Sequence, residues 1–412
     1  MFLHRNFPAQ FKYLVQELAG NKDNQVVFIT NNEFRTLPGV LKIQYKLKRE
    51  VPENCHRYLR FYEETIIHAQ STAEAVIRLK NSGFVPDIIF GHTWGQTLFM
   101  KDVYPDVPLL GYFEWFYNAQ GADMGFDGEV LSVDKLAKLR SKNAHLLIDL
   151  YSCDAGLCPT KFQKKQFPKE FQYKLKVIHD GIDTDYCQPD ENAEFTVKDK
   201  NLKLTANDEV VTYATRGMEA YRGFPEFMQA VEKLLKKRPN LHVVIAGEDR
   251  VCYGAKLYNT TYKTLMLQKL DLDLNRIHFV GSLPFNEYVK LLQISSAHVY
   301  LTYPFVASWS LLEAMSCACP VVASSTEPVT EFIEDNKSGL LFEFYNIDEQ
   351  VAKIEYALDN RVKMIPIRQN ARDVIVKNYA LKDTLPKQID YINSIIQDYK
   401  IHQMQDKNEL KI

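Results

Sequence analysis

Two arginines stand six residues apart in the segment Arg216-Gly217-Met218-Glu219-Ala220-Tyr221-Arg222-Gly223. An apolar, β-branched run at 209–215 precedes it, and a helical pattern starts at Phe224 or Pro225. Arginine presents a rigid fork of N–H donors that matches phosphate oxygens. A strand-to-helix loop is also where open α/β sheets collect ligands, so the predicted chemistry is phosphate binding. The plainer reading is a pair of solvated surface arginines. A second candidate is Ser308-Trp309-Ser310-Leu311-Leu312-Glu313-Ala314-Met315, entered from a run at 297–303 through Pro304. Either Ser308 or Ser310 can cap that helix, whose first N–H groups would form an anion site. Glu313 falls one turn in, where a carboxylate suits neutral hydroxyls such as a ribose diol, or serves only first-turn electrostatics.

Those loops need strands and helices to hold them, and the chain supplies two series. The first has apolar runs at 2–4, 25–30, 41–47, 87–92, 108–115 and 155–160, with helical patterns at 8–19, 54–80 and 132–151. It fades after Val177-Ile178-His179-Asp180-Gly181, and the charged stretch DENAEFTVKDKNLKLTAND reads as a linker. The second series has runs at 209–215, 241–246, 276–280, 297–303 and 320–325, with helices at 225–237, 285–295, 310–317 and 347–358. Strand followed by helix, repeated, predicts βαβ units and parallel sheets. After Tyr379 comes one amphipathic pattern, 384–399, and then a polar tail from His402 that reads as frayed.

Composition narrows the class. The 412 residues are 46% hydrophobic and 25% charged, which fits ordinary folded domains, two or three by length. A net charge of -2 gives no reason to expect a nucleic-acid partner. Neither Cys153/Cys158 nor Cys317/Cys319 has a second pair at zinc-site spacing, so the seven cysteines read as reduced thiols. The opening MFLHRNFPAQF lacks the apolar core of a signal peptide, and no run of 18 apolar residues follows; a cytoplasmic protein is expected. No G-x-G-x-x-G follows the first run, which removes the dinucleotide fingerprint of a dehydrogenase.

Taken together, Arg216 and Arg222, His278-Phe279-Val280-Gly281, Ser308-x4-Glu313-Ala314-Met315-Ser316-Cys317 and Pro320-Val321-Val322-Ala323-Ser324 resemble the retaining nucleotide-sugar glycosyltransferases of family 4. The resemblance spans residues 177–339 and extends less sharply to Asn6-Phe7-Pro8-Ala9-Gln10-Phe11 and Pro86-Asp87-Ile88-Ile89-Phe90-Gly91-His92. It implies the α/β GT-B architecture: two Rossmann-like, doubly wound parallel-sheet domains facing across a cleft, with a C-terminal helix crossing back to the N-terminal domain. The corresponding domains are an acceptor domain at 1–183, a donor domain at 184–380, and the returning helix with its polar tail at 381–412. By position, the resemblance gives Arg216 and Arg222 the donor diphosphate, Glu313 the ribose, and Gly281, Ser282 and Leu283 the base. Ser308, Trp309 and Ser310 start the donor-binding helix, and His92 matches the family histidine that reaches the donor sugar.

Two departures stand out. The family's usual Glu eight residues before Glu313, an acceptor for donor-sugar hydroxyls, is Phe305. The glycine-rich loop usual after the first strand reads Phe7-Pro8-Ala9-Gln10, which leaves positioning there to Gln10 or Asn6. Elsewhere, Gly111-Tyr112-Phe113-Glu114-Trp115-Phe116-Tyr117-Asn118 sets aromatic rings around one acid, so Glu114, Trp115 and Tyr117 are candidate acceptor contacts, with core packing as the plainer reading. Residues 161–169 mix lysine and phenylalanine as a peripheral membrane or anionic-acceptor contact would, or form a solvated helix face.

The implied activity is transfer of a sugar from a nucleoside diphosphate sugar, UDP favoured over GDP, to a hydroxyl of a glycan or lipid-linked acceptor. Surface polysaccharide or glycoconjugate synthesis is the implied setting. Retention of configuration is implied, no protein nucleophile is evident, and no cofactor is expected. No metal is expected either, since no Asp-x-Asp acids stand at a diphosphate position. A GT-B nucleotide-sugar epimerase and a non-catalytic nucleotide-sugar-binding subunit remain as alternatives.

Overall fold

A computed structural model describes residues 1–409. The chain divides into two compact units, Met1–Asp180 together with the described residues from Lys382 onward, and Gly181–Leu381. The sequence placed these divisions at 183/184 and 380/381.

The first unit is built on seven parallel strands: β1 (Phe2–Leu3), β2 (Val26–Thr30), β3 (Val40–Gln44), β4 (Ile89–His92), β5 (Leu109–Tyr112), β6 (Ala155–Cys158) and β7 (Leu175–Val177). Their order is β3-β2-β1-β4-β5-β6-β7, so the winding reverses between β1 and β4. Strand alternation fills both faces. Leu3, Val27, Ile29, Ile89 and Leu109 enter one cluster with Val76 and Ala73 of helix Arg60–Asn81. Phe2, Val26, Phe28, Phe90 and Leu110 enter the other, with Leu14 and Val15 of helix Lys12–Gly20. Both faces are covered, which is why these strands read as unbroken apolar runs.

The second unit opens with a hairpin, β8 (Glu194–Val197) and β9 (Leu202–Thr205), where the sequence suggested a linker. Every second side chain explains the difference. Phe195, Val197 and Leu204 point inward and join Val210, Val244, Leu291 and Ile294 in a core, while Glu194 and Lys203 pair on the outside at 3.0 Å. Asn201 turns the chain with a left-handed φ of 46°. Six parallel strands follow: β10 (Val210–Gly217), β11 (His242–Glu248), β12 (Ile277–Gly281), β13 (Ala297–Tyr300), β14 (Val321–Ser324) and β15 (Leu340–Phe342). Their order, β12-β11-β10-β13-β14-β15, reverses between β10 and β13. The three-residue β15 and the helix Arg361–Asn378, which runs on through Pro366, are not apparent from periodicity.

The last helix, Leu381–Glu409, is longer than its apolar pattern, and the stretch read as frayed is helical from His402 to Glu409. Residues 410–412 of that stretch lie outside the described residues. Ile392 and Ile395 enter the first unit's core beside Phe2 and Phe11, and Gln388 Nε2 donates to His179 O at 3.0 Å. The helix therefore completes the first unit, as the resemblance implies. Among the described residues no helix is long and apolar enough to cross a membrane.

The docking of that helix is expected to be energetically substantial. Ile395→Ala should destabilise the first unit by about 2–4 kcal/mol through lost burial and an unfilled cavity. Urea unfolding of the Trp309→Phe protein would measure this, because its two remaining tryptophans, Trp94 and Trp115, both lie in that unit.

Candidate functional site

Each unit concentrates polar groups just beyond the carboxyl ends of the strands that flank its reversal of winding, where doubly wound sheets bind ligands. In the second unit these are the ends of β10 and β13. The chain leaves β10 through Gly217, where an added Cβ would lie 2.5 Å from Arg250 O, and forms a short turn at Ala220–Arg222. Gly223 then takes a left-handed φ of 62° against Leu301, which would meet any Cβ at 2.5 Å, so helix Phe224–Lys237 can start only after a glycine.

The two arginines of this loop differ. Arg216 is exposed, whereas Arg222 is buried. Arg222 Nη1 donates to Thr302 Oγ1 at 2.7 Å, Val306 O at 3.1 Å and Tyr300 Oη at 3.3 Å, and the guanidinium lies 5.0 Å from the Tyr253 ring centroid. Burial works against its charge, but Tyr300, Tyr253 and Glu219 outweigh this and hold the pKa above the ordinary arginine value. Nη1 is thus committed to protein acceptors, and the guanidinium makes a further side-chain hydrogen bond to Tyr253.

Tyr300 ties this loop to the next. Its hydroxyl also accepts from Ser308 N at 2.9 Å and Ser308 Oγ at 3.3 Å. Ser308 occupies the N-cap position of helix Trp309–Ser316, yet its side chain does not cap the helix. Its hydroxyl is drawn instead to Tyr300 and to Ser310 Oγ, which corrects the capping role expected for either serine. Trp309 is partly exposed. Glu313, half-buried one turn in, faces Tyr288; burial and the Glu313 charge push that phenol well above its usual range. At the end of β12, Gly281 has a φ of 66° with open space around an added Cβ, Ser282 Oγ donates to Glu248 Oε1 at 3.0 Å, and Leu283 packs on the hairpin core.

Phe305 sits inside an aromatic group. It packs on Tyr221 and Tyr253 at 5.7 and 5.3 Å between centroids, and Tyr221 stacks on Tyr303 at 4.7 Å. The sequence singled out Phe305 as a departure, but Tyr253, Tyr300, Thr302 and Glu219 were missed. Tyr300 and Thr302 lie in and beside an apolar strand and read as core, and Glu219 reads as a spacer between the arginines.

In the first unit, His92 ends β4 fully buried, with no hydrogen bond to either ring nitrogen; Glu114 Oε2 stands 3.5 Å from its Nε2. Gln10 Nε2 donates to Glu114 Oε1 at 3.2 Å, so Gln10, His92 and Glu114 come together. Trp94 and His4 cover the imidazole at 4.1 and 4.8 Å, and Asn6 N donates to His4 Nδ1. Burial, then the nearby His92, holds the His4 pKa well below its ordinary value.

Of the candidate acceptor aromatics, Trp115 needs correction. Trp115 is buried against Phe162 at 5.8 Å and offers no ring face to a sugar. Tyr117 carries Lys142 Nζ over its ring at 3.5 Å, and Asn143 clamps its backbone at both N and O. At 161–169, Phe162 and Phe167 point into the core while Lys161 and Lys165 are exposed, so this is a solvated helix face with no apolar surface for a membrane. Among the described residues no three His, Cys, Asp or Glu side chains are grouped to hold a metal ion.

The fold and these strand-end sites define a two-unit, doubly wound protein of the GT-B class. Residues 22–187 match the family model for the glycosyl transferase family 4 group, and residues 195–374 match glycosyl transferases group 1. The chain belongs to this glycosyltransferase family. It is 36% identical over 86 residues to poly(ribitol-phosphate) alpha-N-acetylglucosaminyltransferase of Staphylococcus aureus, covering 21% of this chain and 17% of that protein. It is 26% identical over 170 residues to D-inositol 3-phosphate glycosyltransferase of Corynebacterium jeikeium, covering 40% and 39%. The chain thus spans well under half the length of these two relatives. Among solved structures, HepE of Anabaena in complex with UDP-glucose superposes with a TM-score of 0.69 at 14% identity, covering 95% of this chain and 98% of that one. Sucrose-phosphate synthase of Thermosynechococcus elongatus gives 0.69 at 13%, covering 94% and 92%.

Tyr300 joins two loops through one hydroxyl, so Tyr300→Phe should leave Ser308 N and Arg222 each short of a partner. A stability loss of about 1–3 kcal/mol is expected, from denaturant unfolding in a Trp94→Phe/Trp115→Phe background in which Trp309 is the one remaining tryptophan.

Proposed function

We propose that the protein is a retaining, metal-independent glycosyltransferase that uses a UDP-sugar, in preference to a GDP-sugar, and transfers to a hydroxyl of a glycan or lipid-linked acceptor. The observation that carries this reading is the buried, charged Arg222 beyond β10, beside the start of the helix that follows β13. Cleavage of the bond between the sugar and the β-phosphate leaves negative charge on the nucleoside diphosphate. A preorganised guanidinium, with exposed Arg216 and the Trp309 helix start, stabilises that charge where it develops. Glu313 is assigned to ribose hydroxyls, and the Gly281–Leu283 backbone to the base. In the first unit, His92 and Glu114, steadied by Gln10, are assigned to sugar or acceptor hydroxyls.

UDP is favoured because HepE, of the same fold, was solved with UDP-glucose. The relatives' names, with poly(ribitol-phosphate) and inositol 3-phosphate as their substrates, suggest a polyol or glycan acceptor and a role in surface polysaccharide or glycoconjugate synthesis. All seven cysteines are free and five are buried, in keeping with a reducing, cytoplasmic setting; a lipid-linked acceptor would bring the protein to the membrane face. Phe305 favours one second reading, a subunit that binds a nucleotide sugar without turning it over, and turnover with acceptor separates the two. Sugar interconversion without acceptor would instead point to an epimerase.

Arg222→Ala should lower kcat/KM about ten- to a hundredfold, equivalent to about 1.5–3 kcal/mol, in an assay of UDP release run in EDTA. Unchanged turnover would remove Arg222 from the site, and activity abolished by chelation would contradict metal independence. Because Phe305 supplies no charge-assisted hydrogen bond, UDP and UDP-glucose should bind within about tenfold of each other by calorimetry. A sugar nucleotide bound more than about a hundredfold tighter would mean that another carboxylate takes the sugar.

A further inference from the structure

Beyond the end of β10, one carboxylate is given over entirely to backbone. Glu219 is fully buried, and its oxygens accept from Cys252 N at 3.0 Å, Tyr253 N at 3.0 and 3.2 Å, and Gly254 N at 2.7 Å. A buried carboxylate needs such donors to be tolerated, and three consecutive N–H groups supply them here. The segment they belong to follows β11 and has no regular secondary structure, so its course is set by contacts of this kind.

Two glycines let the loops meet. A Cβ at Gly217 would lie 2.5 Å from Arg250 O, and one at Gly254 would lie 3.0 Å from the Tyr221 ring and 3.4 Å from Glu219 Oε2. Held in this way, the segment carries Tyr253 to the guanidinium of Arg222, with Phe305 on the same ring. Glu219 has no surface with which to touch a ligand. Its effect on one passes through the loop it fixes and through the charge it sets near Arg222.

We propose that Glu219 is a positioning residue for Arg222: by anchoring residues 252–254 it sets Tyr253 against the guanidinium and so fixes the direction in which the cation meets the diphosphate. The proposal rests on the assignment of Arg222 to the donor diphosphate. Glu219→Gln would place an amide NH2 among N–H donors and release at least one anchor. Tyr253→Leu removes the ring, and with it the hydroxyl that hydrogen-bonds Arg222, from a side chain that is 39% exposed.

The test is calorimetric titration of UDP into the wild type, Glu219→Gln, Tyr253→Leu, their double variant and Arg222→Ala. Each of the two singles should weaken UDP about five- to tenfold, the size of a lost, partly desolvated cation–π contact. The double variant should be no more than about twofold weaker than the worse single, because both act through one contact. Wild-type affinity in Glu219→Gln, or a double variant that multiplies the two losses, overturns the proposal. Should Glu219→Gln not fold, Glu219→Asp keeps the charge but draws the carboxylate back by one methylene from the three N–H groups, and wild-type UDP affinity there overturns it equally. Arg222→Ala distinguishes the two levels. If it too binds UDP normally, the diphosphate assignment itself fails; if it alone weakens binding, only the role of Glu219 does.

Discussion

A guanidinium taken out of water must be repaid on every side, and the second unit is arranged around that requirement at Arg222. Thr302, Val306 and Tyr300 accept from one end of the fork, and the guanidinium carbon lies over the Tyr253 ring. Remove the cation and Tyr300 loses one of the contacts that tie the β10 loop to the start of helix Trp309–Ser316. Leave the cation and remove its partners, and a buried charge stands uncompensated, which is the costlier failure. The loops beyond β10, β11 and β13 are therefore mutually dependent, although no two of them are neighbours in sequence.

The place of this cation follows from strand order. In both sheets the first strand lies between the second and the fourth, so the chain runs one way on one side and the other way on the other. Loops diverge at that point and leave the strand ends accessible. Arg222 and Ser308 occupy it in the second unit, and Gln10, His92 and Glu114 occupy it in the first. The first unit's polar group differs in character: His92 is buried without a hydrogen bond to either ring nitrogen, and the nearest charge is the Glu114 carboxylate, 3.5 Å from its Nε2.

Much of this was legible in the sequence because strand, loop and helix follow one another locally, and β-branched runs buried on both faces declare themselves. The loop holding Arg216 and Arg222 and the segment from Ser308 to Glu313 were visible on those grounds. What sequence could not separate was burial: the two arginines have the same type and setting, yet one is exposed and the other enclosed by residues from β13 and the segment after β11. Glu219 and Tyr300 act only through such tertiary contacts, so spacing gave no sign of them. The hairpin at 194–205 was obscured for the opposite reason, since its outward residues are charged and mask the inward alternation of Phe195, Val197 and Leu204. The rings of Trp115, Phe162 and Phe167 looked available because composition cannot tell a core aromatic from a surface one.

The central claim is that a nucleoside diphosphate is held by the second unit, at the loops that Arg222 joins, without a metal. Hydrogen–deuterium exchange of the full chain in EDTA, with and without saturating UDP, tests it directly. The account predicts slower exchange in residues 215–224, 252–254 and 305–313, because ligand binding to the folded state suppresses local opening where the contacts are made. Protection confined to the first unit, or appearing only when Mn²⁺ or Mg²⁺ replaces the chelator, would contradict it.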